Sequence, residues 1–430
     1  LIGRLLYETN SIYADQLQKL KKFSDGKEID LSLSVDGLES EREQKITIDV
    51  AYRYFNYQEN KYIIADAPGH AQYTRNMAVA ASKSDSAIIV IDASKGIETQ
   101  TIRHSYIISL FGIKNVIISV NKMDLVKNPQ QRFTEIKTEF EKFSDKLNFK
   151  HYQFIPIIAI NGDNIVKKSN KLLWYKGPSI IESLSEFALN QSSNAKSNDF
   201  QFTVQSSIKH NQQRFYQGNL ESGSINKHQE ILIQPGNIKS KITEIYHSAK
   251  LVANADAGNA VSIAIAEDID ISRGSIIASP TKQIIKNNKF IGKIIWFSEK
   301  SFSQLANSEL IFKLNYKYIK GKIADIINSV NYNNLNLEEA SDINPNDIVT
   351  VEISLSEQSY FSLFEDNNTN GSFIIIDPID NNILAGGIIS EQIIKKESQQ
   401  NLPANFILDL NNLVKKHFAN WQGQLIEQSQ

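Results

Sequence analysis

The 430-residue sequence has no cysteine. Disulfide bonds, thiolate metal sites and a cysteine nucleophile are therefore excluded. It also has no apolar run that approaches the ~20 residues of a membrane-spanning helix, so we predict no membrane association. An excess of charge of one sign is lacking too, because the net charge is −2 and Lys and Arg are spread along the chain. That balance argues against a large nucleic-acid-binding surface.

The sequence begins neither with Met nor with a signal-like segment. It begins at Leu1-Ile2-Gly3-Arg4-Leu5-Leu6-Tyr7, which is typical of the middle of a helix. We therefore expect a fragment that has been cut at its N-terminus. The length suggests roughly two to four domains, and an apolar fraction of 41% is enough for ordinary hydrophobic cores.

The stretch Asp66-Ala67-Pro68-Gly69-His70 carries the first chemical signal. It follows the apolar run 62–65 and precedes a helix-like run, so we predict a buried strand that ends at an acid and turns into a helix. The Asp66 carboxylate can bind Mg²⁺, directly or through water. Gly69 can bring its backbone N–H close to a phosphate because it has no Cβ. His70 follows at a place where it could orient an attacking water.

The second chemical signal is Asn121-Lys122-Met123-Asp124, which follows the apolar run 116–120. The Asp124 carboxylate can accept hydrogen bonds from both the ring N–H and the exocyclic amine of guanine, whereas adenine offers no such pair of donors. Asn121 would tie neighbouring loops together, and the stem of Lys122 can lie across the base. The motif therefore predicts a guanine site.

Runs rich in Ile and Val alternate with amphipathic runs up to residue 190, a pattern typical of a parallel sheet covered on both faces. We predict strands at 47–54, 61–66, 87–92, 115–120 and 154–159, and helices at 1–20, 72–82, 98–111, 129–147 and 178–189. The first two strands are expected to form a hairpin, with Tyr52, Tyr54 and Phe55 as core residues. Ligands bind such sheets at the carboxyl ends of the strands, so Asp66 and Asn121 are predicted to lie at one edge.

After a linker rich in Ser, Asn and Gln at 190–199, the sequence changes to short β-rich runs separated by turns. Their spacing predicts one small barrel and then a second. The last stretch, from 391 to 430, is polar, with one amphipathic segment at 406–421. It is too short to form a further enzyme domain.

The order of the motifs and barrels resembles that of the translation-factor class of GTPases. The Asp66–His70 stretch comes first, the Asn121–Asp124 motif follows, and two barrels come after them. More closely, the chain resembles the GTPase subunits of bacterial sulfate adenylyltransferases. The similarity covers residues 1–390 and is carried by LIGRLLYET (1–9), VDGLESEREQKITIDVAYRYF (35–55), ADAPGHAQYTRNM (65–77), RHSYIISLFGIKNVIISVNKMDLV (103–126), NGDNIV (161–166), WYKGPSIIE (174–182) and EDIDISRG (267–274). Within these, AYRYF, RHSYIISL, WYKGP and DIDISRG favour the sulfate-activating branch over elongation factor Tu and its relatives.

The resemblance implies an α/β fold. A P-loop-type GTPase domain with a mostly parallel sheet would occupy 1–190, without its first strand and phosphate loop. β-barrel domain 2 would occupy 200–283, β-barrel domain 3 would occupy 286–390, and a C-terminal tail would run from 391 to 430.

The resemblance also implies GTP and Mg²⁺ as cofactors. The implied partner is a small subunit that transfers an adenylyl group from ATP to sulfate, in a cytoplasmic heterodimer of sulfate assimilation and cysteine biosynthesis. GTP hydrolysis would be coupled to the formation of adenosine 5′-phosphosulfate and pyrophosphate. No nucleic-acid partner is expected.

The resemblance assigns residue roles as well. Thr47 would belong to the first switch, where its hydroxyl reaches Mg²⁺ in the GTP state. Asp66-Ala67-Pro68-Gly69-His70 would form the second switch, with Asp66 at the metal and His70 as the catalytic residue. Asn121-Lys122-Met123-Asp124 would hold the guanine, and the backbone N–H of Ala159 would serve its O6. Such loops are known to switch between two states, ordered when the phosphate is bound and released when it is lost.

The sequence departs from the family pattern in several places. The glycine-rich phosphate loop G-x-x-x-x-G-K-[ST] is absent from the 430 residues. Its lysine and hydroxyl supply much of the phosphate affinity, so we expect this fragment to bind GTP poorly or not at all. Lys45 stands where the family commonly has Gly, Ala67 and Ala71 replace Thr and Glu, and Ile158 replaces the Ser of the guanine wall.

Two other functions stay open. One is a translation factor that carries aminoacyl-tRNA and is also controlled by GTP. A filter-binding test for tRNA would separate it from the GTPase subunit of sulfate activation. A degenerate chain could act only as a scaffold for its partner. A full-length product without GTP turnover would favour that second alternative.

Overall fold

The computed structural model describes residues 1–15, 17–18, 29, 31, 47–192, 199–210, 213–305 and 309–393. Leu1–Gln392 form one compact unit. The predictions for Lys45, for the charged stretch before Thr47, for most of the linker and for the tail beyond residue 393 lie outside the described residues. Within the described part, no helix combines the length and the apolar character needed to cross a membrane.

The chain begins with helix α1, Ile2–Glu8, which buries Leu5 and Leu6. The helix was predicted to run to residue 20, but it is interrupted at residues 9–13, and residues 14, 15, 17 and 18 are helical again. The hydroxyl of Thr9 donates to the Leu5 carbonyl at 2.7 Å, and Asn10 adopts a left-handed backbone with φ of 54°. A left-handed Asn is a common helix terminator.

An antiparallel hairpin follows, made of β1 (Ala51–Tyr57) and β2 (Asn60–Asp66). The hairpin was predicted, but β1 begins four residues later than the predicted strand. Phe55 is 2% exposed, whereas Tyr52 and Tyr54 are 40% and 55% exposed. The prediction that all three are core residues is therefore wrong for the two tyrosines, because alternate side chains of a strand point to opposite faces.

Next, helices and strands alternate. They are α2 (Thr74–Ala81), β3 (Ser86–Asp92), α3 (Thr99–Leu110), β4 (Asn115–Asn121), α4 (Pro129–Ser144), β5 (His151–Pro156) and α5 (Ile180–Ser192). Short 3₁₀ turns precede α2 at Ala71–Tyr73 and follow β4 at Met123–Leu125. Pro129 opens α4 at a position where its missing N–H costs nothing.

Strands β3, β4 and β5 form a parallel sheet in that order, with Asp92 aligned with Asn121. Residues 116–120 of β4 are buried without interruption, as expected for a central strand with helices on both faces. The predicted α/β fold is confirmed. Among the described residues β2 pairs only with β1, and a cavity of about 1780 Å³ is lined by Ile64 of β2 and by Ile88 of β3.

The first barrel contains β6 (Gln201–His210), β7 (Gln213–Ser222), β8 (Ser224–Asn226), β9 (Glu230–Gln234), β10 (Ile238–His247), β11 (Lys250–Val252), β12 (Asn254–Asp256), β13 (Ala260–Ile265) and β14 (Ile276–Ala278). Six strands close in the order β10, β13, β7, β6, β14 and β9, and β9 pairs again with β10. The sequence did not predict β14. This three-residue strand closes the barrel.

The second barrel contains β15 (Ile285–Trp296), β16 (Leu310–Leu314), β17 (Lys317–Val330), β18 (Leu337–Glu338), β19 (Ile348–Phe361), β20 (Ser372–Ile376) and β21 (Ile383–Gln392). It closes in the order β16, β20, β21, β15, β19 and β17, with β17 paired back to β16. Both predicted barrels are confirmed.

One hydrophobic cluster joins the α/β domain to the second barrel. It contains Ile107 and Ile108 of α3 together with residues of the second barrel, which are Ile295, Val330, Leu335 and Ile348. The Arg103 guanidinium lies 4.2 Å from the centre of the Tyr332 ring at the same contact. This packing fixes α3, and with it the neighbouring strands of the sheet, against the second barrel.

Candidate functional site

The carboxyl ends of β2 and β4 open onto the same cavity of about 1780 Å³. Six of the predicted site residues line it: Asp66, Ala67, Pro68, Gly69, Asn121 and Ala159. Thr47, His70 and the Lys122–Asp124 segment do not line it. The fold therefore brings residues of the two sequence motifs to one cavity, one from the β1–β2 hairpin and one from the parallel sheet, although more than fifty residues separate them in the sequence.

The Asp66–His70 stretch forms the turn between β2 and α2. Pro68 is buried, whereas Gly69 and His70 are exposed. A Cβ at Gly69 would meet no atom within 4 Å, so the space beside this backbone is open to a ligand. The carbonyl of His70 accepts from the Tyr73 N–H at 3.0 Å, which places His70 at the entry to the turn before α2.

The oxygen ligands at this turn fit a magnesium ion that a nucleotide holds in place. Within the described residues, no group of three or more His, Cys, Asp or Glu residues could form a protein cage for a metal. The predicted donors are one carboxylate, of Asp66, and one hydroxyl, of Thr47. Mg²⁺ commonly keeps several waters and takes one or two protein ligands together with phosphate oxygens, so this small donor set suits it.

The guanine motif lies on a loop that hydrogen bonds tie down. The Oδ1 of Asn121 accepts from the Ala159 N–H at 3.0 Å, and the Asn121 carbonyl accepts from the Ala93 N–H at 2.9 Å. Asn121 thus links the loops that follow β3, β4 and β5. Because the Ala159 N–H already has a partner, guanine O6 would have to share or replace it.

Met123 anchors this loop in the core. Its side chain is 0% exposed, while Lys122 and Asp124 on either side are exposed. Lys122 adopts a left-handed backbone with φ of 62°, which reverses the chain at the end of β4. In the described part of the chain the Asp124 carboxylate has no recorded hydrogen-bond or ion-pair partner, and it is therefore available to a base.

Ile158 is 3% exposed and packs in the core. It stands where the family that the chain resembles has Ser. Its carbonyl accepts from the N–H groups of Asn161 and Gly162 at 3.1 and 3.0 Å. Backbone hydrogen bonds therefore form this turn, and a serine hydroxyl is not needed for it. The substitution leaves the Ala159 peptide at the cavity.

Arg4 and Asp92 act on this site and were not predicted from the sequence. The Nε of Arg4 donates to the Ala159 carbonyl at 3.2 Å, and its Nη2 donates to the Ile160 carbonyl. Asp92 accepts from the Lys122 ammonium at 2.7 Å. Burial opposes ionisation of Asp92, but hydrogen bonds from Lys122 and Ser94 outweigh it and lower the pKa of this carboxyl to about 2. The position of Asp92 at the end of an apolar strand was the available signal.

His104 of α3 also lines the cavity. Burial, helped by the charge of Arg103, lowers the pKa of His104 to about 4. Its Nε2 atom is buried without a partner among the described residues. The imidazole is therefore neutral near pH 7.

The fold combines a parallel sheet that carries an Asn-Lys-x-Asp loop at its carboxyl edge, a hairpin that ends in an Asp-x-Pro-Gly turn, and two closed barrels. This combination defines a GTP-binding protein of the elongation factor Tu type. Residues 1–213 match the family described as Elongation factor Tu GTP binding domain. Residues 289–390 match the family described as GTP-eEF1A C-terminal domain-like.

The chain belongs to the sulfate adenylyltransferase subunit 1 family. It is 40% identical to the protein of that name from Cellvibrio japonicus (strain Ueda107), over 98% of this chain and 90% of the relative. It is 38% identical to the protein of the same name from Alteromonas mediterranea, with the same coverage. Among solved structures, it is similar to translation elongation factor SelB from Methanococcus maripaludis in complex with the GTP analogue GppNHp. That match has 21% identity and a TM-score of 0.40, over 81% of this chain and 75% of SelB.

Proposed function

We propose that this chain is the GTP-hydrolysing subunit of a sulfate adenylyltransferase. A small partner subunit transfers the adenylyl group of ATP to sulfate, which gives adenosine 5′-phosphosulfate and pyrophosphate. The product is a high-energy mixed anhydride, and GTP hydrolysis drives its formation. The observation that carries the proposal is the cavity on which the Asp66–Gly69 turn, Asn121 and Ala159 converge.

The guanine base is recognised at the β4 end of this cavity. The exposed Asp124 carboxylate accepts from the ring N–H and the exocyclic amine of the base, and the stem of Lys122 covers the ring. Asn121 and the Ala159 N–H face the other edge of the base, where O6 lies. The buried Met123 supports the proposal, because an anchored loop loses little conformational freedom when the base binds.

The phosphates bind at the β2 end. The N–H of Gly69 approaches the terminal phosphate, and His70 orients the water that attacks it. The Thr47 hydroxyl and the Asp66 carboxylate would hold Mg²⁺. When bound, this ion neutralises charge on the phosphate oxygens.

The domain boundaries at 1–190, 200–283 and 286–390 are part of the same proposal. The sheets of the α/β domain and the first barrel fall within the first two ranges, whereas the sheet of the second barrel runs from Ile285 to Gln392 and slightly exceeds the third range. A cytoplasmic location and a heterodimer with the small subunit belong to it as well.

The test is release of pyrophosphate from ATP and sulfate by the full-length gene product with its small subunit, with and without GTP. We expect strong stimulation by GTP and none by ITP at the same concentration, because inosine lacks the exocyclic amine. Rates that do not respond to GTP would contradict the proposal. GTP turnover together with retention of aminoacyl-tRNA on a filter would favour a translation factor instead, and absence of turnover would favour a scaffold.

A further inference from the structure

Asp92 lies beside the guanine loop in the sheet. It is the last residue of β3, and the parallel register places it opposite Asn121, the last residue of β4. The next residue, Ala93, donates its N–H to the Asn121 carbonyl at 2.9 Å. The turn after β3 is therefore bonded directly to the loop that carries the guanine motif.

The Asp92 carboxylate has three hydrogen-bond donors. The Lys122 ammonium lies 2.7 Å from Oδ2, and the N–H and hydroxyl of Ser94 lie 2.9 and 2.6 Å from Oδ1. The Ser94 bonds hold the carboxylate in place, so that one oxygen is directed to Lys122. A fixed acceptor of this kind restricts a long, flexible side chain that otherwise samples many rotamers.

The exposure of Lys122 explains why its side chain needs the fixed acceptor that Asp92 provides. The Lys122 side chain is 52% exposed, whereas that of Asp92 is 19% exposed. The ion pair with Asp92 is the one polar contact that the Lys122 side chain makes among the described residues. Without Asp92, the ammonium would be free to move into solvent and draw the stem away from the proposed position of the base.

We propose that Asp92 is a positioning residue for guanine nucleotides, which holds the stem of Lys122 in the place where it covers the base. The inference rests on the proposed function. The stem contacts the face of the ring, which all purines share, while Asp124 reads the edge that distinguishes guanine. Asp92 therefore governs affinity for the base and not the choice of base.

A double-mutant cycle tests the inference on the full-length gene product with its small subunit. Dissociation constants for GDP and IDP are measured for the wild type, Asp92→Asn, Lys122→Met and the double variant. Asn keeps an oxygen that accepts from Ser94 but carries no charge for Lys122. We expect Asp92→Asn to raise both dissociation constants about fivefold, the size expected of a partly exposed ion pair. In the Lys122→Met background we expect no further change.

Asp145→Asn is the matched control, since it makes the same change at an exposed carboxylate after α4 and leaves Asp92, Ser94 and Lys122 untouched. We expect it to leave the dissociation constants within twofold of wild type. The inference is overturned if Asp92→Asn has the same effect with and without Lys122, if it has no effect, or if it changes the ratio of GDP to IDP affinity. A wild-type complex that binds neither nucleotide would refute the proposed function itself and is distinguishable from all of these.

Discussion

The side-chain amide of Asn76 donates a hydrogen bond of 2.9 Å to the backbone carbonyl of Ile48. Asn76 lies on α2, which follows the Asp66–His70 turn, and Ile48 follows Thr47. One side chain therefore ties together the two segments that are proposed to meet the terminal phosphate.

Asn76→Ala should uncouple these segments. A partly buried neutral hydrogen bond contributes about 1 kcal/mol, so we expect amide hydrogen exchange at residues 47–50 to become about fivefold faster. Ser82→Ala is the control, because its hydroxyl, just after α2, donates to the Val79 carbonyl and makes no other hydrogen bond in the described part of the chain. Unchanged protection of residues 47–50 in Asn76→Ala would show that other contacts hold the segment.

Asp124→Asn should change the base specificity of the site from guanine to xanthine. The amide loses the charged acceptor of two base donors, and each hydrogen bond to a charged group contributes about 1.5–3 kcal/mol. We therefore expect affinity for GTP to fall roughly 10- to 100-fold. Xanthine carries a carbonyl in place of the amine, to which the Asn amide can donate, so XTP should replace GTP in stimulating pyrophosphate release. Asp145→Asn, at an exposed position after α4, should behave as wild type.

His104 should make stability depend on pH. Its folded-state pKa of about 4 lies below the ordinary value of 6.5, so its contribution to stability is fully present above 6.5 and is lost as pH falls toward 4. Between pH 7 and pH 5 this group should cost about 2 kcal/mol of unfolding free energy. His104→Gln should remove that part of the dependence in urea denaturation curves. An identical pH dependence in the variant and the wild type would contradict the assignment.

Asn370→Ala should weaken the contact between the barrels. The Nδ2 groups of Asn367 and Asn370 in the second barrel donate to Glu221 Oε2 of the first at 2.8 and 2.9 Å. Burial raises the pKa of Glu221 although these hydrogen bonds oppose the rise. Loss of one donor to a buried carboxylate should cost about 1–3 kcal/mol. We expect a lower urea midpoint for Asn370→Ala than for Asn368→Ala, an exposed control in the same loop, and equal midpoints would exclude the predicted role.

The elements that the sequence predicted well are those with a strong periodic pattern. The uninterrupted apolar run of β4 indicated a buried central strand. The predicted proximity of Asp66 and Asn121 agrees with their place on one cavity, although β2 pairs with β1 and not with the parallel sheet among the described residues. Short strands carry little pattern, and for that reason β14 was missed, although it closes the first barrel. The hairpin tyrosines were misassigned because strand periodicity shows that two faces differ but does not show which face is covered.

The part of the candidate site that could not be predicted depends on long-range contacts. Arg4 donates a hydrogen bond to the Ala159 carbonyl although more than 150 residues separate the two in the sequence. No local sequence pattern predicts such a pair. Asp92 meets Lys122 only because β3 and β4 align in parallel register. Both residue types are common on surfaces, so their roles at the cavity emerge only from the folded chain.

The hydrophobic cluster shared by α3 and the second barrel limits how the protein can be divided into modules. Ile295, Val330 and Ile348 of that barrel pack with Ile107 of α3, whereas the first barrel has a cluster of its own. In exchanges between relatives, we expect the first barrel to be replaceable once its contacts with the second barrel are matched, among them those of Glu221 and of Arg273 with the Tyr316 ring. The GTPase domain and the second barrel must be inherited together, although the first barrel separates them in the sequence.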